Sequence, residues 1–357
     1  MVGVTTVQEQ EFDALWLVLK NEIKQFLKEN NMTCEVLERL DWSLDTNTLS
    51  GRRSRGRQVC NSARVLAGSS TPIRKQQELE LNTLGWLVQL QSSYVFLCDD
   101  IIDGSLLRRG QPTWWSRPEI GKTAVNDAFL INFCIYFLLK KHFKHHPAYT
   151  SLFELFQNSS FLTEAGQAGD HLVGGNPGNF DQFTMENYER VIKGKTGHYI
   201  CLPVLVALTY LKMDTPKNMG QSCDTLMAIS YFLQVQDDYL DVFGDPAVTG
   251  KIGTDIQENK CSWLIVQALE RCTPEQRKVL QRCYGQPDDN LAEEVKQTFR
   301  GLKLDQVYKE YEEKALVDLS KHINSIDESE GLKKEVFLMF GVNHTNYKSQ
   351  FDAVASN

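Results

Sequence analysis

Apolar residues return every three to four positions along most of the chain, the rhythm of a helix that buries one face. In Phe12–Asn30 they fall at Phe12, Leu15, Leu17, Leu19, Ile23, Phe26 and Leu27. Leu79–Asp103 is a longer apolar-rich stretch with no proline and one glycine, and Asn126–His145, Tyr149–Leu172, Met185–Leu211 and Cys223–Phe243 behave alike. Ser262–Arg271, Pro274–Tyr284, Asp288–Lys303 and Val307–Ile323 continue the pattern. Breakers separate them: Gly104, Gly110-Gln111-Pro112, the run GGNPGNF at Gly174–Phe180, Asp214-Thr215-Pro216, Asp245-Pro246 and the glycines at 250 and 253. No run alternates clearly enough for a sheet, and no low-complexity linker divides the chain. The pattern predicts a single all-α domain over residues 1–357, built as a helical bundle. Within it, residues 1–45 read as an N-terminal helical segment, 46–325 as the bundle that carries the chemistry, and 326–357 as a C-terminal segment.

Composition narrows the function classes. The chain has 357 residues, 24% of them charged, and a net charge of −8, which argues against general nucleic-acid binding. An acidic protein that handles an anion must do so with local cations. The nine cysteines are scattered, with no CxxC pair, so they read as buried reduced thiols in a reducing compartment. The opening MVGVTTVQEQEFDALW lacks the basic and apolar blocks of a targeting segment. Ile200–Leu211 is too short to span a membrane and holds a proline. A cytoplasmic protein with no membrane span is the expectation.

The chemistry concentrates in two acidic clusters. In FLCDDIIDGSLLRRGQ, Asp99 and Asp103 are four residues apart and share a helix face, with Asp100 flanking it. In FLQVQDDYLDVFGDP the same spacing recurs at Asp237, Asp238 and Asp241. Each cluster ends an apolar helix, so six carboxylates are expected to face one space across the bundle. Such a set is tolerable only with several hard divalent cations, and all-oxygen ligation favours Mg²⁺, or Mn²⁺, over zinc. Basic residues adjoin both clusters: Arg108 and Arg109 after the first, Lys251 and Lys260 after the second, Lys195 in KGKTGHY, and Arg52, Arg53 and Arg55 in SGRRSRG. Together with metal sites they describe a pocket for a diphosphate.

The stretches DDIIDGSLLRRGQ and QVQDDYLDVFGDPAVTGKIGTDIQENKCSW resemble the two aspartate-rich regions of the farnesyl diphosphate synthases, the trans-prenyltransferases. AVNDAFLINFCIY, TEAGQAGDHL, FTMENYERVIKGKTGHY and CTPEQRKVL extend the resemblance over most of the chain, Asn47 to Tyr311. It implies an isoprenoid-synthase helical bundle around a central cavity, a homodimer, three Mg²⁺ ions and a prenyl diphosphate substrate. By position Arg108, Lys195 and Lys251 match the cations for the allylic diphosphate, and Thr196 and Gln234 fall on pocket positions. With Asp99, Asp103 and Asp237 these cations form the implied catalytic set.

The departures from that family lie at its second substrate site. Its GGKxNRG stretch reads Ser50-Gly51-Arg52-Arg53-Ser54-Arg55-Gly56 here. The glutamine usual seven residues before the first aspartate is Ser92, and the family's basic C-terminus is replaced by NHTNYKSQFDAVASN. The pocket-floor positions, often bulky aromatics, are Tyr94 and Val95, and the segment after Lys195-Thr196 looks one residue short. Arg52, Arg55 and Arg109 remain as cations for an acceptor. The expectation drawn from these departures is a sesquiterpene synthase, a lyase that ionises farnesyl diphosphate without an acceptor. A cation in its apolar pocket would meet the faces of Tyr94, Phe96, Tyr199 or Phe232. The alternative is a farnesyl or geranyl diphosphate synthase, which keeps the acceptor. A non-catalytic partner would ordinarily have lost aspartates, and this chain keeps all six.

Overall fold

The computed structural model describes residues 7–68, 73–245 and 253–340. Helices make up nearly all of it: α1 (Val7–Glu29), α2 (Cys34–Thr48), α3 (Ser54–Ala67), α4 (Lys75–Ile102), α5 (Ala124–Phe143), α6 (Tyr149–Gly174), α7 (Met185–Ile192), α8 (His198–Tyr210), α9 (Pro216–Phe243), α10 (Trp263–Arg271), α11 (Pro274–Cys283), α12 (Asp289–Gly301) and α13 (Leu304–Asn324). Ten stretches read from the sequence cover eleven of these, one of them spanning both α7 and α8, and α9 begins at Pro216 rather than at Cys223. It misses α2 and α3, whose polar, Arg- and Asp-rich stretches hide the periodicity. The anticipated boundary at residue 45 falls inside α2. The anticipated Met185–Leu211 helix is broken into α7 and α8 by a π-turn at Lys193–Gly197. A two-stranded hairpin, β1 (Leu107–Arg108) with β2 (Gln111–Pro112), pairs Leu107 with Pro112 and Arg108 with Gln111. No period-2 pattern announces it, because each strand has two residues.

Local signals explain the helix limits. Thr215 accepts from the Asn218 amide with Pro216 in the first turn of α9, and Thr273 does the same for α11 through a reciprocal bond with Gln276. Asp288 caps α12 and Thr184 caps α7.

Two apolar clusters result. One gathers α1 to α6 with α8, the N-terminal half of α9 and residues 332–340. The other gathers Phe180, Phe183, α7, the C-terminal half of α9 and α10 to α13. Helix α9 belongs to both, contributing Leu226 and Ile229 to the first and Val235, Tyr239 and Val242 to the second. Its second aspartate cluster therefore begins where the cores meet. In the first cluster Phe12 and Trp16 of α1 stack on Trp86 of α4, with ring centroids 4.7 and 4.8 Å apart.

Helices α3 and α4 touch backbone to backbone. A Cβ on Gly85 would lie 2.5 Å from the Gly56 carbonyl oxygen, and one on Gly56 would lie 2.7 Å from that of Gly85. A backbone oxygen has no rotamer by which to withdraw. Gly85→Ala is therefore expected to force α3 off α4 and cost about 1–3 kcal/mol. Urea unfolding measures this against Gly220→Ala, a site on α9 with open space around it and an expected neutral or slightly stabilising effect. Equal stability of the two variants would refute the close-contact account.

Candidate active site

From Leu81 through Cys98 helix α4 carries no charge, and it then delivers Asp99 and Asp100 in its last turn and Asp103 at its C-terminal cap. Helix α9 delivers Asp237, Asp238 and Asp241 in its last two turns. Between them lies a cavity of about 320 Å³. Five of the six aspartates line it: Asp99, Asp103, Asp237, Asp238 and Asp241. The sixth, Asp100, is buried beside it. So the expected set of six carboxylates facing one space is reduced, and for a clear reason. Arg108 takes Asp100 instead, its Nη2 lying 2.7 Å from Asp100 Oδ1 and 3.0 Å from Asp99 Oδ2. Asp238 reaches the wall but spends its oxygens inside the protein. It accepts from Tyr188 Oη at 2.8 Å, the Trp263 amide at 2.7 Å and Gln234 Nε2 at 2.9 Å. Burial raises its pKa to about 6 against the pull of those three donors.

The lysines sit among these carboxylates. Lys195 Nζ lies 3.0 Å from Asp99 Oδ1 and 2.8 Å from Asp170 Oδ2. Lys260 Nζ lies 2.6 Å from Asp103 Oδ1 and 3.1 Å from Asp170 Oδ2. Burial would discharge both lysines, but Asp170 above all, followed by Asp99 for Lys195 and Asp103 for Lys260, keeps their pKa values above the ordinary one. Reciprocally, burial would raise Asp99 and Asp170, and the facing lysines hold both below the usual carboxylate range. Asp103, beside Asp99, is pushed up by burial and by that like charge. The second cluster is also tied to its own loop: Asp241 accepts from the Thr254 and Asp255 amides at 3.3 and 3.1 Å.

Lys195 is placed by the π-turn. There α6 and the turn meet without side chains between them, since a Cβ on Gly166 would fall 2.1 Å from the Lys195 nitrogen. Asp170, one helical turn beyond Gly166, then stands beside the Lys195 ammonium. Thr196 follows, donating to Gln234 at 3.0 Å. Both line the cavity.

The arginines form a second group. Arg109 and Gly110 are the central residues of the hairpin turn, with φ of 55° and 72°, the left-handed pair that a two-residue hairpin needs. Arg109 Nη1 reaches back to the carbonyl and hydroxyl oxygens of Ser50. Arg55 of α3 donates to Tyr199 Oη at 2.9 Å. Their neighbours are spent elsewhere: Arg53 and Arg57 pair with Asp13 and Glu9, and Arg52 is exposed. Among the described residues neither Arg55 nor Arg109 forms an ion pair.

Of the pocket-floor residues, Val95 lines the cavity and Tyr94 does not. Tyr94 is buried and bonded to Glu164, and its hydroxyl is pushed upward, first by burial. Of the aromatic candidates, Phe96 and Tyr199 reach the cavity; Phe232 is buried off it. Lys251 lies outside the described residues. The sequence reading missed Asp170, Tyr188, Asp255 and Glu258, all of which line the cavity; burial raises Glu258 to about 7. Asp170 stands alone in GQAGDHL, without the repeated spacing that marks the two clusters. Among the described residues no group of three His, Cys, Asp or Glu side chains converges as a ready metal site. The donors facing the cavity are nonetheless carboxylate oxygens, the set that suits a hard cation such as Mg²⁺.

Residues 38–302 match the family model described as polyprenyl synthetase. The chain is 41% identical to the farnesyl pyrophosphate synthase of Schizosaccharomyces pombe over 332 residues, 92% of this chain and 95% of that protein. It is also 41% identical to that of Bos taurus, covering 88% of each. A structure of Trypanosoma brucei farnesyl diphosphate synthase complexed with a bisphosphonate superposes with a TM-score of 0.88 at 27% identity, covering 94% of this chain and 98% of that one. The fold is thus the all-α helix bundle of the isoprenoid synthases. Near-full-length relatives that are farnesyl pyrophosphate synthases overturn the expectation of a sesquiterpene synthase or lyase. That expectation took one-for-one replacements in SGRRSRG as loss of a site. The fold instead brings Arg55, from that stretch, to Tyr199 beside the cavity and ties Arg109 to Ser50.

Asp170 is the shared counter-charge of two lysines, and its side chain is only 9% exposed. Asp170→Asn should leave Lys195 with Asp99 alone and Lys260 with Asp103 alone, and cost about 3 kcal/mol, read by urea unfolding. Adding Lys260→Met should recover part of that loss. A double variant that loses the sum of both single effects would show that no coupling exists.

Proposed function

The chain belongs to the polyprenyl synthetase family, and from that premise we propose that it is a farnesyl diphosphate synthase. It condenses an allylic diphosphate head-to-tail with isopentenyl diphosphate. The observation that carries this reading is the division of the cations in and beside the cavity into two groups. Lys195 and Lys260 stand among the carboxylates, whereas Arg55 and Arg109 stand apart, with no ion pair among the described residues. One diphosphate needs one group. Two groups suit two diphosphates, and a reaction that only ionised its substrate would have no use for the second.

In this reading Asp99, Asp103, Asp237 and Asp241 would hold Mg²⁺ at the first site, where the allylic diphosphate binds. When bound, the ions neutralise the charge that builds on the departing diphosphate. Lys195 and Lys260 stabilise that same charge directly, and Lys251 joins them by its place in the motif. Arg108 positions the site by gripping Asp99 and Asp100. The allylic C–O bond breaks, and its electron pair leaves with the diphosphate. The alkene of isopentenyl diphosphate then supplies the pair for the new carbon–carbon bond, and loss of a proton restores an alkene. Thr196 and Gln234 tie the π-turn to Asp238, which fixes the lysine against the aspartates. Arg55 and Arg109, with Arg52 at the exposed edge, orient the acceptor. All nine cysteines are free thiols, which supports a cytoplasmic location.

The assay is direct. Purified protein with Mg²⁺, geranyl diphosphate and isopentenyl diphosphate should yield farnesyl diphosphate. Asp103→Asn should lower kcat about a hundredfold or more without loss of folded structure by circular dichroism. A terpene released from farnesyl diphosphate alone, with no chain extension, would defeat the reading.

We also infer that the active form is a homodimer. Val125, Phe129 and Phe133 recur every four residues on α5, and Phe133 is 61% exposed. On α6 Phe161 is 72% exposed and Leu172 75%. So large an apolar face suits a second copy of the chain. Phe133→Glu should shift the sedimenting species from dimer to monomer; an unchanged dimer would place the interface elsewhere.

A further inference from the structure

We propose that Phe96 is a positioning residue whose ring holds Arg55 and Arg109, beside the carboxylate-bound Arg108, as a preformed seat for the second, non-allylic diphosphate. The inference rests on the prenyltransferase reading and names the residue that assembles its acceptor site. Phe96 lies half-buried on α4, three residues before Asp99, and lines the cavity. Three guanidinium carbons surround its ring, at 5.0 Å for Arg108, 5.1 Å for Arg55 and 5.8 Å for Arg109. They arrive from β1, from the hairpin turn that follows it and, much earlier in the chain, from α3. Arg55 also lies 4.5 Å from the Tyr199 ring centre, and Tyr199 meets Phe96 edge-on at 6.3 Å.

Three like charges do not collect without a reason. The negative face of an aromatic ring attracts each cation, and the attraction strengthens as water is excluded. An aliphatic side chain at 96 would offer contact but no such field. Only Arg108 is also held by carboxylates. Arg109 is left short of negative charge: desolvation, with Arg108 and Arg55 beside it, draws its pKa below the ordinary guanidinium value. A seat with surplus positive charge and flat, forked donors is built for a phosphate group. It also answers the departures noted in the sequence. Ser92, at the position where the family has glutamine, is buried and donates to the Val88 carbonyl, so it offers the anion nothing, and the aromatic platform one turn further along α4 takes over the work of holding the site together.

The test compares Phe96→Leu, Phe96→Met and Phe96→Tyr with the unaltered protein. Steady-state kinetics with Mg²⁺ give KM for isopentenyl diphosphate, KM for geranyl diphosphate and kcat. Calorimetry gives isopentenyl diphosphate binding without turnover. Phe96→Leu is expected to raise the acceptor KM and Kd about tenfold, to leave the allylic KM within about twofold, and to be rescued by Phe96→Tyr. Phe96→Met stands in if the leucine variant does not fold. An unchanged acceptor Kd, equal rises in both KM values, or a tyrosine variant as weak as leucine would overturn the proposal. Should the unaltered protein bind isopentenyl diphosphate yet make no product, the prenyltransferase reading falls while loss of binding in Phe96→Leu still upholds the seat.

Discussion

Asp100, Arg108, Asp99, Lys195, Asp170, Lys260 and Asp103 form one continuous line of ion pairs, alternating in sign from end to end. Each charge would be costly in this setting alone. Each inner charge is tolerable because its neighbours on both sides carry the opposite sign, while Asp100 and Asp103 at the ends have one such neighbour each and are pushed up by burial. The line runs through residues whose side chains are at most one-third exposed, so the Coulomb terms are only partly screened. Every other part of the cavity is arranged around it.

Holding that line demands accurate placement of elements that are remote in sequence. Helix α4, the hairpin, α6, the π-turn and the loop after residue 253 each contribute one or more charges. The apolar clusters fix the helices, and the contact between Gly166 and Lys195 fixes the turn against α6. Helix α9 spans both clusters and sets the distance between the two aspartate groups. Packing therefore does for the site what a covalent brace would do: it sets positions before any ligand arrives.

Much of this was legible from residue patterns. Asp99, Asp103, Asp237 and Asp241 declare themselves by repeated four-residue spacing after apolar runs. Lys195 and Lys260 are legible as cations near those runs. Asp170 is not, because a lone acid on a helix reads as a solvated residue until tertiary structure sets two lysines against it. Phe96 reads as core packing, since nothing local distinguishes a ring that meets three guanidiniums from one that meets leucines. Helices α2 and α3 escaped because their buried faces are interleaved with charges that pair with α1. The acceptor side was misread for a related reason. Sequence shows which residue replaced which, but not that Ser50 and Arg109 share a hydrogen bond.

The paired state of the cavity has a consequence for how ligands enter. A pocket whose lysines are already paired with aspartates behaves as an ion exchanger, not as an open charged bowl. A diphosphate that captures Lys195 and Lys260 takes them from Asp99, Asp103 and Asp170, and so releases carboxylates that then demand cations of their own. Electroneutrality thereby links the uptake of anion and cation into one exchange, and neither occupies the site cheaply without the other.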